Sequence, residues 1–447
     1  MPSTVTDSLT SPTRKAKSAI VVAPASTNRV YTKVALRLLP LLFICYITAY
    51  LDRINVGFAK LQMQNDLALS DSVYGFASGI FFFGYLIFEV PSNLLLEKIG
   101  ARLWIARIMI TWGIISGATL FVNSAASFYA VRFLLGFAEA GFFPGIILYL
   151  TYWFPSTWRA QIVAWFMAAV AVTGMIGNPL SGWILHQFSG LGGLKGWQML
   201  FLVEALPAII IGVCVPLMLP NGIRSARWLT EAEKKLLEAN IDAENAVKDR
   251  LPLLRVLVEP KLLVLSLIYF CNSLGLYGIG FWLPQIIKNT GISDPLDVGL
   301  LSAIPYGFAA VAMVIFGRSS DRANERRWHY FFGSIVGCIG LIIVGAFSQN
   351  TWFTMAGVTL STMGVLSLFP IFWPIPADML AGTSAAAGIA WINSLGGLAG
   401  FFGPTIVGAV SDVTKKSDYA FYGIGAAVLL GGLLVLAVAP RGKRARA

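Results

Sequence analysis

The sequence predicts an all-α polytopic membrane protein, with twelve transmembrane helices arranged as two six-helix halves. Three observations carry that expectation. Of 447 residues, 57% are hydrophobic and 12% charged, against about 25% charged in soluble domains. Apolar runs of about 20 residues, enough to cross a hydrocarbon core of ~30 Å, recur along the chain. A short acid–base loop after the second run returns after the eighth, the mark of a repeated unit. The apolar runs are continuous rather than alternating, which excludes a β-barrel.

The spans fall at 34–59, 73–96, 101–122, 126–151, 160–186 and 197–219, then at 259–289, 298–318, 328–348, 352–379, 384–412 and 418–439. The chain divides accordingly into a disordered tail (1–33), an N-terminal bundle (34–219), a polar linker (220–258), a C-terminal bundle (259–440) and a basic tail (441–447). The first tail is rich in Ser, Thr and Lys and lacks the apolar core of a cleaved signal peptide. The linker segment "SARWLTEAEKKLLEANIDAENAVKDR" is rich in helix formers, and Thr230 followed by Glu233 is the pattern of a capping box. It reads as a surface helix.

The net charge of +11 does not indicate nucleic acid, because of where the bases lie. With alternate loops assigned to one side, 26 of the 33 Lys and Arg fall to the two tails and four connecting loops. Lys60, Lys195, Lys288, Lys415 and Lys416 fall to the other side, and Arg53 and Arg132 lie within spans. This skew places both termini in the cytoplasm by the positive-inside rule. Cys45, Cys214, Cys271 and Cys338 sit in apolar spans without metal-ligand spacing and read as small core residues. No catalytic triad, paired histidines or phosphate loop appears, so neither an enzyme nor a cofactor or metal is expected.

The loops "NLLLEKIGAR" and "GRSSDRANERR" align at an offset of 224 residues, which sets Glu97 and Lys98 on Asp321 and Arg322. An acid followed by a base can bridge neighbouring helix ends, so these residues and Arg102 are candidate gating groups. Ordinary positive-inside charge would explain the bases but not the matched acids. With "YLDRINVGFA" (50–59), "FEVPSNLLLEKIGAR" (88–102), "RFLLGFAEAGFFPG" (132–145) and "GRSSDRANERRWHY" (317–330), the chain resembles the anion:cation symporter family of the major facilitator superfamily. Asn93 stands where the wider superfamily has glycine. The resemblance implies a major facilitator fold and carriage of organic anions such as tartrate, phthalate, hydroxyphenylacetate and galactonate, often with protons.

Four ionisable residues inside spans are the candidates for that chemistry. Each costs about 2.5–3.5 kcal/mol on insertion scales, so it needs a function or a partner. Asp52 and Arg53 lie in the outer part of the first span, and Arg132 and Glu139 in the outer and middle parts of the fourth, so all four share one slab. Arg132 and Glu139 are seven residues apart on one face, about 10.5 Å along the axis. A direct pair between them is a stretch, and each is expected to look across a gap to another helix or an anion. Burial favours a neutral carboxyl and an adjacent guanidinium an ionised one, so an anion on the arginine would change the carboxyl's hold on a proton. The reading, which the family resemblance also implies, is Arg53 and Arg132 for substrate and Asp52 and Glu139 for the coupling proton. A structural ion-pair network, with Arg132 as scaffold or tuning residue, remains the alternative.

At the 224-residue offset Asp52 and Glu139 correspond to Leu276 and Met363, so the second half has no matching acids. It offers Asn272 and Tyr277, Trp373 between Pro370 and Pro374, and Asn393; Tyr50 and Tyr85 face them from the first half as a possible aromatic wall. The resemblance makes Asn393 a hydroxyl or carboxyl ligand. Glu89 and Glu204 read as packing or capping groups. The expectation is a monomeric proton symporter importing a small organic carboxylate across a bacterial inner membrane, with protons, the anion and lipid as its partners. An exchanger or exporter, suggested by "GMIGNPLSG" (174–182), and a non-transporting receptor are the rivals.

Overall fold

The computed structural model describes residues 24–246, 259–379 and 383–438. The expected tail 441–447, most of the tail 1–33 and the end of the linker lie outside the described residues. Among the described residues, twelve helical runs are long and apolar enough to cross a membrane, as expected from hydropathy.

The first group of helices comprises α1 (Pro24–Asp66), α2 (Asp71–Ile99), α3 (Ala101–Ala118), α4 (Ala125–Glu139), α5 (Phe142–Thr151), α6 (Ser156–Met167), α7 (Ala169–Gln187) and α8 (Gly196–Met218). The linker holds α9 (Glu231–Ala246). The second group is α10 (Pro260–Lys288), α11 (Pro295–Ala323), α12 (Arg327–Ala346), α13 (Thr351–Phe372), α14 (Pro374–Met379), α15 (Thr383–Gly397), α16 (Ala399–Thr414) and α17 (Asp418–Val438). The spans run antiparallel in turn, so α1 begins at what is here termed the near end, with the linker, and finishes at the far end.

Four spans are broken helices. The fourth stops at Glu139 and resumes at Phe142, because Gly141 takes φ +82. A left-handed residue disfavours any side chain, and a Cβ on Gly141 would also collide with Ser92. The fifth, tenth and eleventh spans break at Ala168, Trp373 and Leu398. The tenth breaks where Pro370 and Pro374 each remove a backbone donor. Interrupted helices at membrane depth are tolerated where a neighbour or a cavity satisfies the freed groups.

Small residues bring the helices together. Gly136 of α4 lies against the Phe81 carbonyl of α2, where a Cβ would have no room. This is the close backbone approach expected of packing in lipid. α1 is 43 residues long, roughly 65 Å, and its first turns project beyond the bundle to dock α9. Lys33 meets Glu233 at 2.9 Å and Tyr31 accepts from Asn240 at 3.0 Å. Thr230 and Glu233 cap α9 reciprocally, at 3.3 and 2.8 Å.

Candidate functional site

A cavity lies between the two groups of helices, lined by residues of both. Tyr46, Tyr50 and Arg53 reach it from one face of α1, at i, i+4 and i+7. Phe82, Tyr85 and Glu89 reach it from α2, and Tyr269, Ser273, Leu276 and Tyr277 from α10. Asn393 and Ser394 of α15 complete the opposite wall. Among the described residues, Arg53 is the one cation in the lining.

Arg53 is 8% exposed and its guanidinium forms an ion pair with Glu139 of α4, itself 1% exposed. The partner that Glu139 was expected to find across a gap is thus the arginine of another helix. Aromatic rings hold the guanidinium in place, with centroids of Phe81, Tyr85 and Phe82 at 5.3, 5.7 and 5.8 Å. Quadrupole attraction of this kind strengthens where water is excluded. Glu139 ends α4, so the break at Gly141 sets the position of its carboxylate.

The other two ionisable candidates stand behind this pair. Asp52 points away from the cavity into the first group, accepting from Trp112 Nε1 at 2.9 Å and Ser116 Oγ at 3.0 Å on α3. Consecutive helical residues point about 100° apart, so one cavity face cannot present both Asp52 and Arg53. Arg132 is fully buried; its Nε donates to the Ala77 carbonyl at 3.4 Å and its guanidinium lies 5.1 Å from the Phe81 centroid. Both of its terminal nitrogens lack a hydrogen-bond partner. Arg132 is therefore a buried charge close to the Arg53–Glu139 pair but outside the cavity lining.

Of the remaining candidates, Tyr50, Tyr85, Tyr277 and Asn393 line the cavity, while Asn272 and Trp373 do not. The Asn272 amide is buried without a partner, and Trp373 packs 4.9 Å from Tyr269. Tyr46, Tyr269, Ser273 and Ser394 were not singled out from sequence, and Glu89 was read as a packing or capping group, yet all face the cavity. Their helical spacing from Arg53, Tyr277, Tyr85 and Asn393 was the available signal. Tyrosines at such spacing read equally well as packing. Glu204, read as a packing or capping group, lies in the third turn of α8, fully buried, and accepts from Ser181 at 2.6 Å.

The expected gating residues at the near end do not join the two groups. Asp321 meets Arg326 of its own group at 3.6 Å, and among the described residues no ion pair joins Glu97, Lys98 or Arg102 to the second group. The seal lies at the far end. The Asp412 carboxylate of α16 caps the start of α2, accepting from the backbone of Asp71 at 3.2 Å and of Ser72 at 2.8 Å. Asp71 in turn takes Lys60 Nζ and Gln64 Nε2, each at 2.8 Å, and the Ser411 hydroxyl. Lys60, assigned from sequence to an outer loop, lies inside α1, 2% exposed, 4.0 Å from the Trp282 ring centroid. Lys288 donates to the Leu61 carbonyl at 2.9 Å, and Tyr74 to that of Phe281 at 2.9 Å. Toward the near end, among the described residues, one hydrogen bond joins the groups: Ser394 to Glu89, at 3.4 Å.

This arrangement carries a prediction. Asp412→Asn keeps the shape but removes a charge from a helix N-terminus, a loss of about 1 kcal/mol, or roughly fivefold in a two-state equilibrium. With a single reporter cysteine at Leu276 in a cysteine-free background, labelling by an impermeant maleimide from the far side should rise by that factor. An unchanged labelling rate would remove Asp412 from the seal.

Comparisons with known proteins agree with this fold. The sequence matches the Major Facilitator Superfamily over residues 42–404 and again over 265–447. A protein of Agrobacterium vitis named as a tartrate transporter is 46% identical over 412 residues, covering 92% of this chain and 94% of that one. A quinolone resistance transporter of Acinetobacter baumannii is 39% identical over 409 residues, covering 91% and 94%. Among solved structures, a D-xylose–proton symporter superposes with a TM-score of 0.70 at 16% identity, covering 91% of this chain and 99% of that one, which speaks for the fold. The chain belongs to the Major Facilitator Superfamily of membrane transporters.

Proposed function

We propose that the protein imports a small organic carboxylate together with protons, by alternating access of the cavity between the two helix groups. The single observation that supports this reading most is that Arg53, the cation facing the cavity, is held from behind by Glu139. A substrate carboxylate and Glu139 compete for one planar guanidinium, which suits either of them bidentately. When the substrate takes Arg53, the displaced Glu139 is left buried without a counter-ion. A proton then neutralises it, because an unpaired buried charge is far costlier than a neutral carboxyl. Coupling of this kind is reciprocal, so protonated Glu139 equally releases Arg53 to the anion.

In this scheme Asp52 is a reserve proton site inside the first group, and Arg132 tunes the pair without touching substrate. Tyr50, Tyr85, Tyr277 and Asn393 shape the pocket. Asn272 and Trp373 would join it only in another conformation. The cluster Glu97, Lys98, Arg102, Asp321 and Arg322 would close the near end when the far end opens. On this reading the basic skew of the sequence assigns the near end to the cytoplasm of a bacterial inner membrane, and the far-end bonds between the groups make the described state one closed toward the outside. Rocking of two helix bundles about a midplane site is the physical route between states.

Uptake into proteoliposomes tests the proposal. With an inward proton gradient, a panel of tartrate, phthalate and 4-hydroxyphenylacetate should include an acid that accumulates above equilibrium and is lost on adding a protonophore. Accumulation of none of these acids beyond a simple leak would refute it. The relative named for quinolone resistance favours a second reading, extrusion of an aromatic acid through the same pocket. Faster loss than gain of a preloaded quinolone under an opposed gradient would select it.

A further inference from the structure

Glu89 is the cavity carboxyl that the coupling scheme leaves unused. It is 7% exposed and lines the cavity, and among the described residues no lysine or arginine pairs with it. Among the described residues, the one hydrogen bond to its carboxylate comes from the Ser394 hydroxyl on the opposite wall, at 3.4 Å. A buried carboxylate with one long hydrogen bond is poorly compensated. Packing alone would be served better by an amide or an apolar side chain. Helix register locates Glu89 relative to the anion site. Tyr85, which stacks near the Arg53 guanidinium at 5.7 Å, precedes Glu89 by one turn. Glu89 thus sits about 6 Å nearer the near end than the Arg53 layer, with Tyr46, Tyr50 and Tyr277 lining the space around them.

An acid held at Arg53 and lying along this slot would present its opposite end to Glu89, beside Ser394 and Asn393. A hydroxyl or nitrogen donor there would satisfy the carboxylate, an apolar end would leave it unsatisfied, and an ionised second carboxylate would be repelled. We propose that Glu89 is a specificity-determining residue that accepts a hydrogen bond from a hydroxyl or N–H donor about 6 Å from the substrate's carboxylate. It thereby selects donor-bearing monocarboxylates over donor-free or doubly charged acids of the same outline. This inference rests on the organic-acid reading, since Arg53 must take the substrate's carboxylate.

The test is equilibrium binding to the purified protein of three acids that differ only at the para position: 4-hydroxybenzoate, benzoate and terephthalate. The wild type should bind 4-hydroxybenzoate about tenfold or more tighter than benzoate, as expected for a donor lost against a charged acceptor. Terephthalate should bind weakest. Glu89→Gln keeps the outline, and it should narrow the first ratio to within about threefold and bring terephthalate up toward benzoate. Ser394→Ala, which removes only the competing internal donor, should preserve the wild-type order of the three. Melting of the ligand-free variants reports whether each has folded. If Glu89→Gln weakens all three acids equally, or leaves their order untouched, Glu89 is structural and the inference falls while the organic-acid reading stands. If the wild type binds none of the three, the inference falls, and the organic-acid reading stands or falls by the uptake panel.

Discussion

Replacing Glu139 by Gln is expected to abolish accumulation driven by a proton gradient while exchange of substrate across the membrane continues. Glutamine keeps the outline of the side chain and one acceptor oxygen for Arg53, so the bundle should fold. It cannot cycle between charged and neutral forms, and in the proposed scheme that cycle makes the anion and the proton bind together. Each proton moved with the substrate contributes about 1.36 kcal/mol per pH unit, or about tenfold in the accumulation ratio. For the variant the ratio should fall to one at every gradient, while labelled substrate still exchanges against unlabelled. The measurement is uptake by paired proteoliposome batches with and without a pH step. Undiminished gradient-driven accumulation by the variant would move the coupling proton elsewhere, with Asp52 the next group to test.

The second large effect concerns Arg53, and it separates structure from transport. Removing one member of a buried ion pair strands the other, at about 3–5 kcal/mol, whereas replacing both with apolar residues of similar volume is often neutral or stabilising. Arg53→Met alone should therefore lower the melting temperature markedly, and Arg53→Met with Glu139→Met should recover most of it. Neither variant should accumulate substrate, because the cation facing the cavity is gone from both. Arg53→Lys should keep the charge and the fold but bind the anion more weakly, since a point charge replaces the planar fork. A stable double variant that still transports would make the pair a helix fastener and leave the anion site to be found elsewhere.

Much of the fold was legible because hydropathy is a local property. The second span, read as 73–96, is the helix Asp71–Ile99, and a cap such as Thr230 with Glu233 needs only residues three apart. The helix breaks were less legible. Nothing in one sequence distinguishes a glycine that allows close approach from one, such as Gly141, at φ +82. The break matters because it ends α4 on the carboxylate that holds Arg53.

Composition and order alone determined that this chain spans a membrane many times, that its ionisable residues within spans cluster in the first half, and that Asp52 and Arg53 cannot face the same way. Those statements need only counts, helix pitch and the cost of charge in hydrocarbon. Tertiary structure alone decided which partner each charge found: Arg53 with Glu139 across two helices, Asp52 with Trp112 and Ser116, and Asp412 on the first turn of α2 from the other group. Helix pitch fixes the angle between neighbouring side chains, whereas the rotation of each helix about its own axis is set by how glycines and aromatics on several helices pack together. The Arg132 and Glu139 of one face, a pair to the eye in the sequence, are for that reason a buried charge outside the cavity lining and the rear partner of the cavity's arginine.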